Sequence, residues 1–261
     1  MGKLKLGILG NGYLADIIVE AGLKGMLDEY ELVGVLGRTR EKTELLAKKG
    51  GCRACSTIDE LLALAPDYVA EAASVQSVKD CGGKILASGA SMIVLSIGAF
   101  ADKEFYGQVK ETAAVHGTRV YIASGAVGGF DVLRTISLMG QAEAGIRTKK
   151  GPASLKGTPL FEERLMEDTQ ESHVFHGNAK EAISLLPTKV NVAVASSLAT
   201  VGPEDTRVDI YSVPGMVGDD HKITSEIEGV KAVVDIYSST SAIAGWSVVA
   251  VLQNIVSPIV F

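Results

Sequence analysis

The stretch that most constrains this chain is its opening. The apolar run Leu4–Leu9 breaks at Gly10, Asn11 and Gly12, and an apolar-periodic segment follows through Leu14, Ile17, Ile18 and Ala21. This reads as strand, tight turn and helix, with a G-x-G-x-x-A pattern from Gly10 to Ala15. Each small residue has a physical task there. Gly10 makes the sharp turn, Gly12 lets backbone approach a pyrophosphate, and Ala15 permits close contact of helix and strand. The start of the helix, with Tyr13 and Leu14 as its first residues, offers free N–H groups and the positive end of a dipole to an anion. A dinucleotide is the expected ligand, held by Gly10, Asn11, Gly12, Tyr13 and Leu14.

A second apolar run, Tyr30 to Gly37, and a polar helix from Arg38 to about Lys49 complete a βαβ unit. An NAD site of this kind places an acidic residue at the end of the second strand, on the ribose 2′-hydroxyl. Here that place holds Gly37, followed by Arg38, Thr39 and Arg40. Guanidinium pairs well with phosphate, so NADP, or both NADP and NAD, is the expected cofactor, with Arg38 and Thr39 at the 2′-phosphate. Strand and helix patterns continue to alternate as far as residue 124. Asp67 to Ser74 reads as a strand ending in small residues, and Ala73 and Ser74 leave room there for a nicotinamide.

The pattern changes at the glycine-rich segment Ser124 to Asp131. Beyond it come a helix from Val132 to Met139, a strand near Gly145 to Lys150, a Gly- and Pro-rich loop, and helices over Lys180–Leu186 and Asn191–Thr200. Three alternating runs then start at Arg207, Lys222 and Lys231 and read as antiparallel strands. A last amphipathic helix runs from Ala242 to Val256. The expected organisation is an α/β dinucleotide-binding domain of residues 1–124 plus 242–261, and a smaller α+β catalytic and dimerisation domain of residues 125–241.

Composition narrows the function. Of 261 residues, 47% are apolar and 21% charged, which describes a chain with a full core; the net charge of −6 argues against a nucleic-acid or anionic-membrane partner. No apolar run reaches a membrane span, and the three cysteines make no disulfide framework. A cytoplasmic location is expected. Cys52 and Cys55 form a CxxC pair, read as two small apolar residues on a short strand. No G-x-S-x-G elbow, Walker lysine loop or H-E-x-x-H motif is present.

Four histidines remain. His116 ends a helix before Gly117, where a cation suits the dipole. His173 and His176 stand three apart in a polar stretch without an acidic or cysteine cluster at ligand spacing, so they read as surface residues and no metal is expected. His221 falls in a segment read as a loop between strands, where function concentrates. A hydride leaving a carbon that bears an amine or hydroxyl requires a proton to move as well, and histidine suits that task near neutral pH.

These residues sit in motifs that resemble the L-aspartate dehydrogenase family along nearly the whole chain. The motifs are Gly10-Asn-Gly12, Glu71-Ala-Ala-Ser74, Ser96-Ile-Gly-Ala-Phe-Ala-Asp102, Ile122-Ala-Ser-Gly-Ala-Val-Gly-Gly-Phe-Asp131, Thr148-Lys-Lys-Gly-Pro152, Val174 to Ala182 with Pro187 and Val190 to Ala193, and Asp219-Asp-His-Lys-Ile223. The resemblance implies an N-terminal Rossmann domain with a doubly wound parallel sheet, a second catalytic domain and a C-terminal helix returning to the first. It implies reversible NAD(P)-dependent oxidative deamination of an amino acid through an imine to a keto acid and ammonia, by a homodimer whose imine can feed NAD biosynthesis. It puts the catalytic histidine at His221 and cofactor contacts at Ala126 and Asn191. The chain departs from the family at Asp219, where asparagine is usual, at Ser212-Val-Pro214 and before the last helix. An added carboxylate beside His221 is expected to repel a dicarboxylate substrate and to raise the histidine's pKa.

Overall fold

The computed structural model describes residues 2–186 and 191–261; Pro187 and Val190 of the motif quoted above lie outside them. The chain forms two compact units, one of residues through Gly125 with Ala242–Phe261, the other Ala126–Ser241.

In the first unit, strands β1 (Leu4–Leu9), β2 (Tyr30–Leu36), β3 (Arg53–Cys55), β4 (Tyr68–Glu71), β5 (Ser91–Val94) and β6 (Val120–Ile122) alternate with helices. The helices are α1 (Tyr13–Leu23), α2 (Arg40–Gly50), α3 (Ile58–Leu62), α4 (Val75–Ala87) and α5 (Lys103–His116). The sheet order is β3-β2-β1-β4-β5-β6 and every pairing is parallel. That is the Rossmann order, with its reversal between β1 and β4. A parallel sheet is covered on both faces, so its strands read as continuous apolar runs; Leu6 to Leu9 are all buried. Local sequence starts and stops the helices. Thr57, Ser74 and Asp102 accept N-terminal amides of α3, α4 and α5, and Gly51 and Gly117 take left-handed backbone after α2 and α5.

The second unit contains α6 (Phe130–Met139), β7 (Glu143–Lys150), β8 (Ser172–Asn178), α7 (Ala179–Leu185), α8 (Asn191–Ala199), β9 (Arg207–Ser212), β10 (Asp219–Ile227) and β11 (Val230–Ser238). The sheet order is β11-β10-β7-β9-β8. Alternate residues Ile146, Val208, Ile210 and Ile223 turn one face toward Leu133 of α6, Ala182 of α7 and Ala193 of α8. Three local expectations change. β9 pairs parallel with β7, so the sheet is mixed rather than antiparallel. The polar stretch holding His173 and His176 is the edge strand β8, and His221 lies within β10, not in a loop.

The last helix, α9 (Ala242–Val256), belongs to the first unit and crosses α1. Gly245 allows the close crossing, since a Cβ there would stand 2.9 Å from Ile17 Cδ1. Val248 and Leu252 join Ile8, Ile18 and Val35 in one core. Tyr30 Oη donates to the Leu252 carbonyl at 2.7 Å in a buried setting, and burial pushes its phenol pKa above the usual range. Tyr30→Phe is expected to lower stability by about 1 kcal/mol in denaturant unfolding with an unchanged slope; no shift of the midpoint would remove this bond as a tie between α9 and the sheet.

Candidate active site

The carboxyl ends of β1, β2 and β4 converge at the opening glycine turn. Gly10 donates to the Leu36 carbonyl at 2.7 Å, and Ala72 donates to Leu9 at 2.8 Å. Gly10 has φ of +137°, and a Cβ on it would lie 2.4 Å from the Ala72 carbonyl oxygen, so only glycine fits. Gly12 caps α1 without a side-chain acceptor and has no atom within 4 Å of its Cβ direction. The first amides of α1, at Tyr13 and Leu14, thus have no side-chain cap and follow an exposed Gly12. This is the geometry that receives a pyrophosphate.

Asn11 ties the turn to the next loop. Its Nδ2 donates to the Thr39 carbonyl and to Thr43 Oγ1, both at 2.9 Å. The amide packs across Gly37, where an added Cβ would stand 2.3 Å from Asn11 Cγ. The position of an NAD-type acid is thus filled by Asn11. The two arginines that follow differ. Arg40 is engaged by Glu44 at 2.5 Å and by Ser56. Arg38 is exposed and makes no ion pair among the described residues, leaving its guanidinium open to a phosphate.

Ala73 and Ser74 follow β4 and are set by a carboxylate that sequence reasoning did not single out. Glu71 is fully buried and accepts four hydrogen bonds: from the amides of Ala73 (2.8 Å), Leu95 (3.1 Å) and Ser96 (2.9 Å), and from Ser96 Oγ (2.8 Å). Burial raises its pKa and these donors oppose the rise. Ser74 caps α4 through the Ser77 amide at 3.1 Å, and Ala73 stays exposed at the strand end. The thiols are not activated. Burial pushes Cys52 up to about 11 and raises Cys55 and Cys81, the opposite of a reactive thiolate.

In the second unit, β10 places His221 on the helix-covered face of the sheet, 4% exposed. Its Nδ1 lies 2.9 Å from Thr148 Oγ1 of β7, its register partner. Its Nε2 stands 4.0 Å from Asp219 Oδ2, and the same oxygen accepts from Lys150 Nζ at 2.6 Å. The expectation for Asp219 is therefore corrected. Burial and the Lys150 charge push the imidazole down to about 4, outweighing Asp219. Lys150 also neutralises the carboxylate that was expected to repel a dicarboxylate substrate. Thr148 and Lys150, buried beside His221, were quoted in a motif but given no role by the sequence.

The structure thus gathers Gly10, Asn11, Gly12, Tyr13, Leu14, Arg38, Thr39, Ala73 and Ser74 at one edge of the first unit. Ala126, Asn191 and His221 belong to the second. Ala126 precedes α6 and Asn191 opens α8, helices that pack on the sheet face bearing His221. A further grouping was not foreseen. His173 and His176 of β8 both meet Asp209 of β9, an acidic partner supplied by strand pairing and not by sequence spacing.

The Rossmann strand order and the uncapped glycine turn define a dinucleotide-binding oxidoreductase fold. Comparison with known proteins agrees. Residues 6–123 match the model of the homoserine dehydrogenase NAD-binding domain, and residues 131–255 match that of the aspartate dehydrogenase C-terminal domain. The L-aspartate dehydrogenases of Methanococcus maripaludis and Methanosarcina mazei are each 33% identical, over 98% of this chain and 98% of theirs. The crystal structure of aspartate dehydrogenase from Thermotoga maritima superimposes with a TM-score of 0.79 at 27% identity, covering 99% of both chains. The chain belongs to the L-aspartate dehydrogenase family.

A histidine held below its unfolded pKa stabilises the fold above that value and loses the contribution as pH falls. The loss is expected between about pH 6.5 and about pH 4, reaching a few kcal/mol. Acid unfolding of His221→Gln should be flatter across that window; an unchanged profile would show that His221 is not held neutral by its surroundings.

Proposed function

We propose that this chain is an NAD(P)-dependent dehydrogenase that oxidatively deaminates L-aspartate, through iminoaspartate, to oxaloacetate and ammonia. The observation that carries the reading is the pairing of an open, glycine-bounded phosphate turn with a buried, neutral histidine on a chain of this family. The residues fit the cofactor: α1 is uncapped, Gly12 is open, and Arg38 has no ion pair among the described residues.

In this reading the amides of Gly12, Tyr13 and Leu14 hold the pyrophosphate, with Gly10 and Asn11 shaping the turn. Arg38 and Thr39 take the 2′-phosphate of NADP, which favours that nucleotide over NAD. Ala73 and Ser74 line the edge beside the ribose and nicotinamide, and Ala126 and Asn191 carry over from the family as further contacts. When bound, the cofactor would supply the acceptor for a hydride leaving the substrate's α-carbon. The chain's own work is proton handling. For His221 to act as a base through Nε2, Nδ1 must carry the proton and donate to Thr148 Oγ1. A neutral Nε2 then takes a proton from the substrate nitrogen, or from the water that attacks the imine. Hydride, proton and water account for oxaloacetate, ammonia and reduced cofactor. The enzyme is proposed to be a cytoplasmic homodimer.

The Lys150–Asp219 pair favours a second reading of substrate range. With its ammonium already neutralised, Lys150 gives a second substrate carboxylate less attraction than a free lysine would. A panel of amino acids with NADP or NAD, run also in reverse with keto acids and ammonia, separates the readings. Highest kcat/KM on aspartate supports the first, on small neutral amino acids the second. Cofactor binding with no turnover anywhere on the panel would leave a non-catalytic nucleotide-binding protein.

His221→Ala is expected to lower kcat by about 10²–10⁴ with cofactor affinity unchanged; equal loss of both would remove the proton-transfer role. Arg38→Ala should weaken NADP binding by about tenfold or more and leave NAD nearly untouched, as measured by fluorescence titration.

A further inference from the structure

Strand β8 is an edge strand with β9 as its neighbour. On a regular strand, residues three apart face opposite sides of the sheet. His173 and His176 escape this rule because the register shifts between them. His173 pairs with Tyr211, Phe175 with Ile210 and His176 with Asp209, so Val174 is an extra residue on β8. Such a bulge re-aims side chains, and here it brings both imidazoles to one carboxylate. His173 Nε2 lies 3.0 Å and His176 Nδ1 2.8 Å from the same oxygen, Asp209 Oδ1. Tyr211 stacks on His173 with centroids 4.4 Å apart and planes at 10°, fixing that ring. Arg207 approaches the other oxygen, Oδ2, at 3.6 Å and leaves Oδ1 to the histidines.

We infer that His173, His176 and Asp209 form a binding site for one divalent cation of the late first transition row, of which Zn²⁺ is the probe. Two imidazole nitrogens and a carboxylate suit such a cation, whereas Mg²⁺ and Ca²⁺ take oxygen. Donors around a tetrahedral zinc stand about 3.4 Å apart, given ligand distances near 2.1 Å. The two nitrogen–oxygen separations are slightly shorter than that, and all three donor atoms lie within 4.8 Å of one another. Side chains as exposed as His173 (41%) and His176 (63%) adjust by that amount freely. Three protein ligands leave a position for water.

The site is separate from the histidine of the proposed reaction. His221 pairs with Thr148, which pairs with Ile210, whereas Asp209 neighbours Ile210 and faces the other side of the sheet. A bound cation straps the sheet edge by linking β8 to β9 in the folded state alone.

The test uses untagged protein stripped with a chelator and titrated with ZnCl₂ by calorimetry, alongside melting curves with and without the metal. One equivalent is expected, with a rise in Tm of several degrees at saturating Zn²⁺ and no effect of Mg²⁺. His176→Ala and Asp209→Asn, the latter conserving shape, should each weaken binding by at least about tenfold and abolish the Tm rise. A Cys52→Ser/Cys55→Ser/Cys81→Ser variant should bind as the parent does. Absence of saturable Zn²⁺ binding, an equal response to Mg²⁺, full affinity in both ligand variants, or loss of binding with the cysteines would each overturn the assignment.

Discussion

The buried carboxylate of Glu71 is the interaction on which the cofactor edge depends. Removing an ionised carboxylate from water costs several kcal/mol unless hydrogen bonds replace its hydration. Glu71 offsets part of that cost with four donors, one from the turn after β4 and three from the end of β5. The same bonds fix the ends of two neighbouring strands against each other. Gly10 then lies against Ala72 with no space for a side chain, and Asn11 extends the connection to the loop after β2. A phosphate turn gains little from being open if its walls move. Here β2, β1, β4 and β5 share one hydrogen-bonded rim, so the amides of α1 are held in place before any nucleotide arrives.

Polarity in the second unit is organised on the opposite plan, by near cancellation of charge. Lys150 and His221 are buried, and Asp219 lies beside both. Cation and anion pair with each other, and burial together with the lysine charge keeps the imidazole next to them uncharged. Thr148 holds the remaining ring nitrogen from the adjacent strand. A carboxylate beside the histidine, which in isolation would charge the ring, is diverted to the lysine.

Much of the first unit was legible in the sequence because its signals are local. Gly10 and Gly12 fall between a strand and a helix, Thr57 and Asp102 begin helices, and Gly117 ends one. What was not legible depends on which strands become neighbours. Asp219 to His221 is a polar run and reads as a loop before the strand that starts at Lys222, yet alternation through His221, Ile223 and Ser225 turns those side chains to the covered face of β10. Thr148 and His221 meet across 73 residues, and Lys150 meets Asp219 across 69. Asp209 reaches the two histidines only because β8 carries an extra residue. No spacing rule along the chain encodes these encounters. The family motifs kept the participants together as a set, without saying which atoms touch.

The packing of Asn11 across Gly37 means that two positions twenty-six residues apart cannot vary independently. An acidic residue introduced alone at Gly37, where an NAD site carries its acid, would place its Cβ against the Asn11 amide and displace a group held by Thr39 and Thr43. The change requires Asn11 to move or shorten, and either removes the link between the phosphate turn and the loop that bears Arg38. The residue at the end of the second strand is thus coupled to the phosphate turn through a single amide.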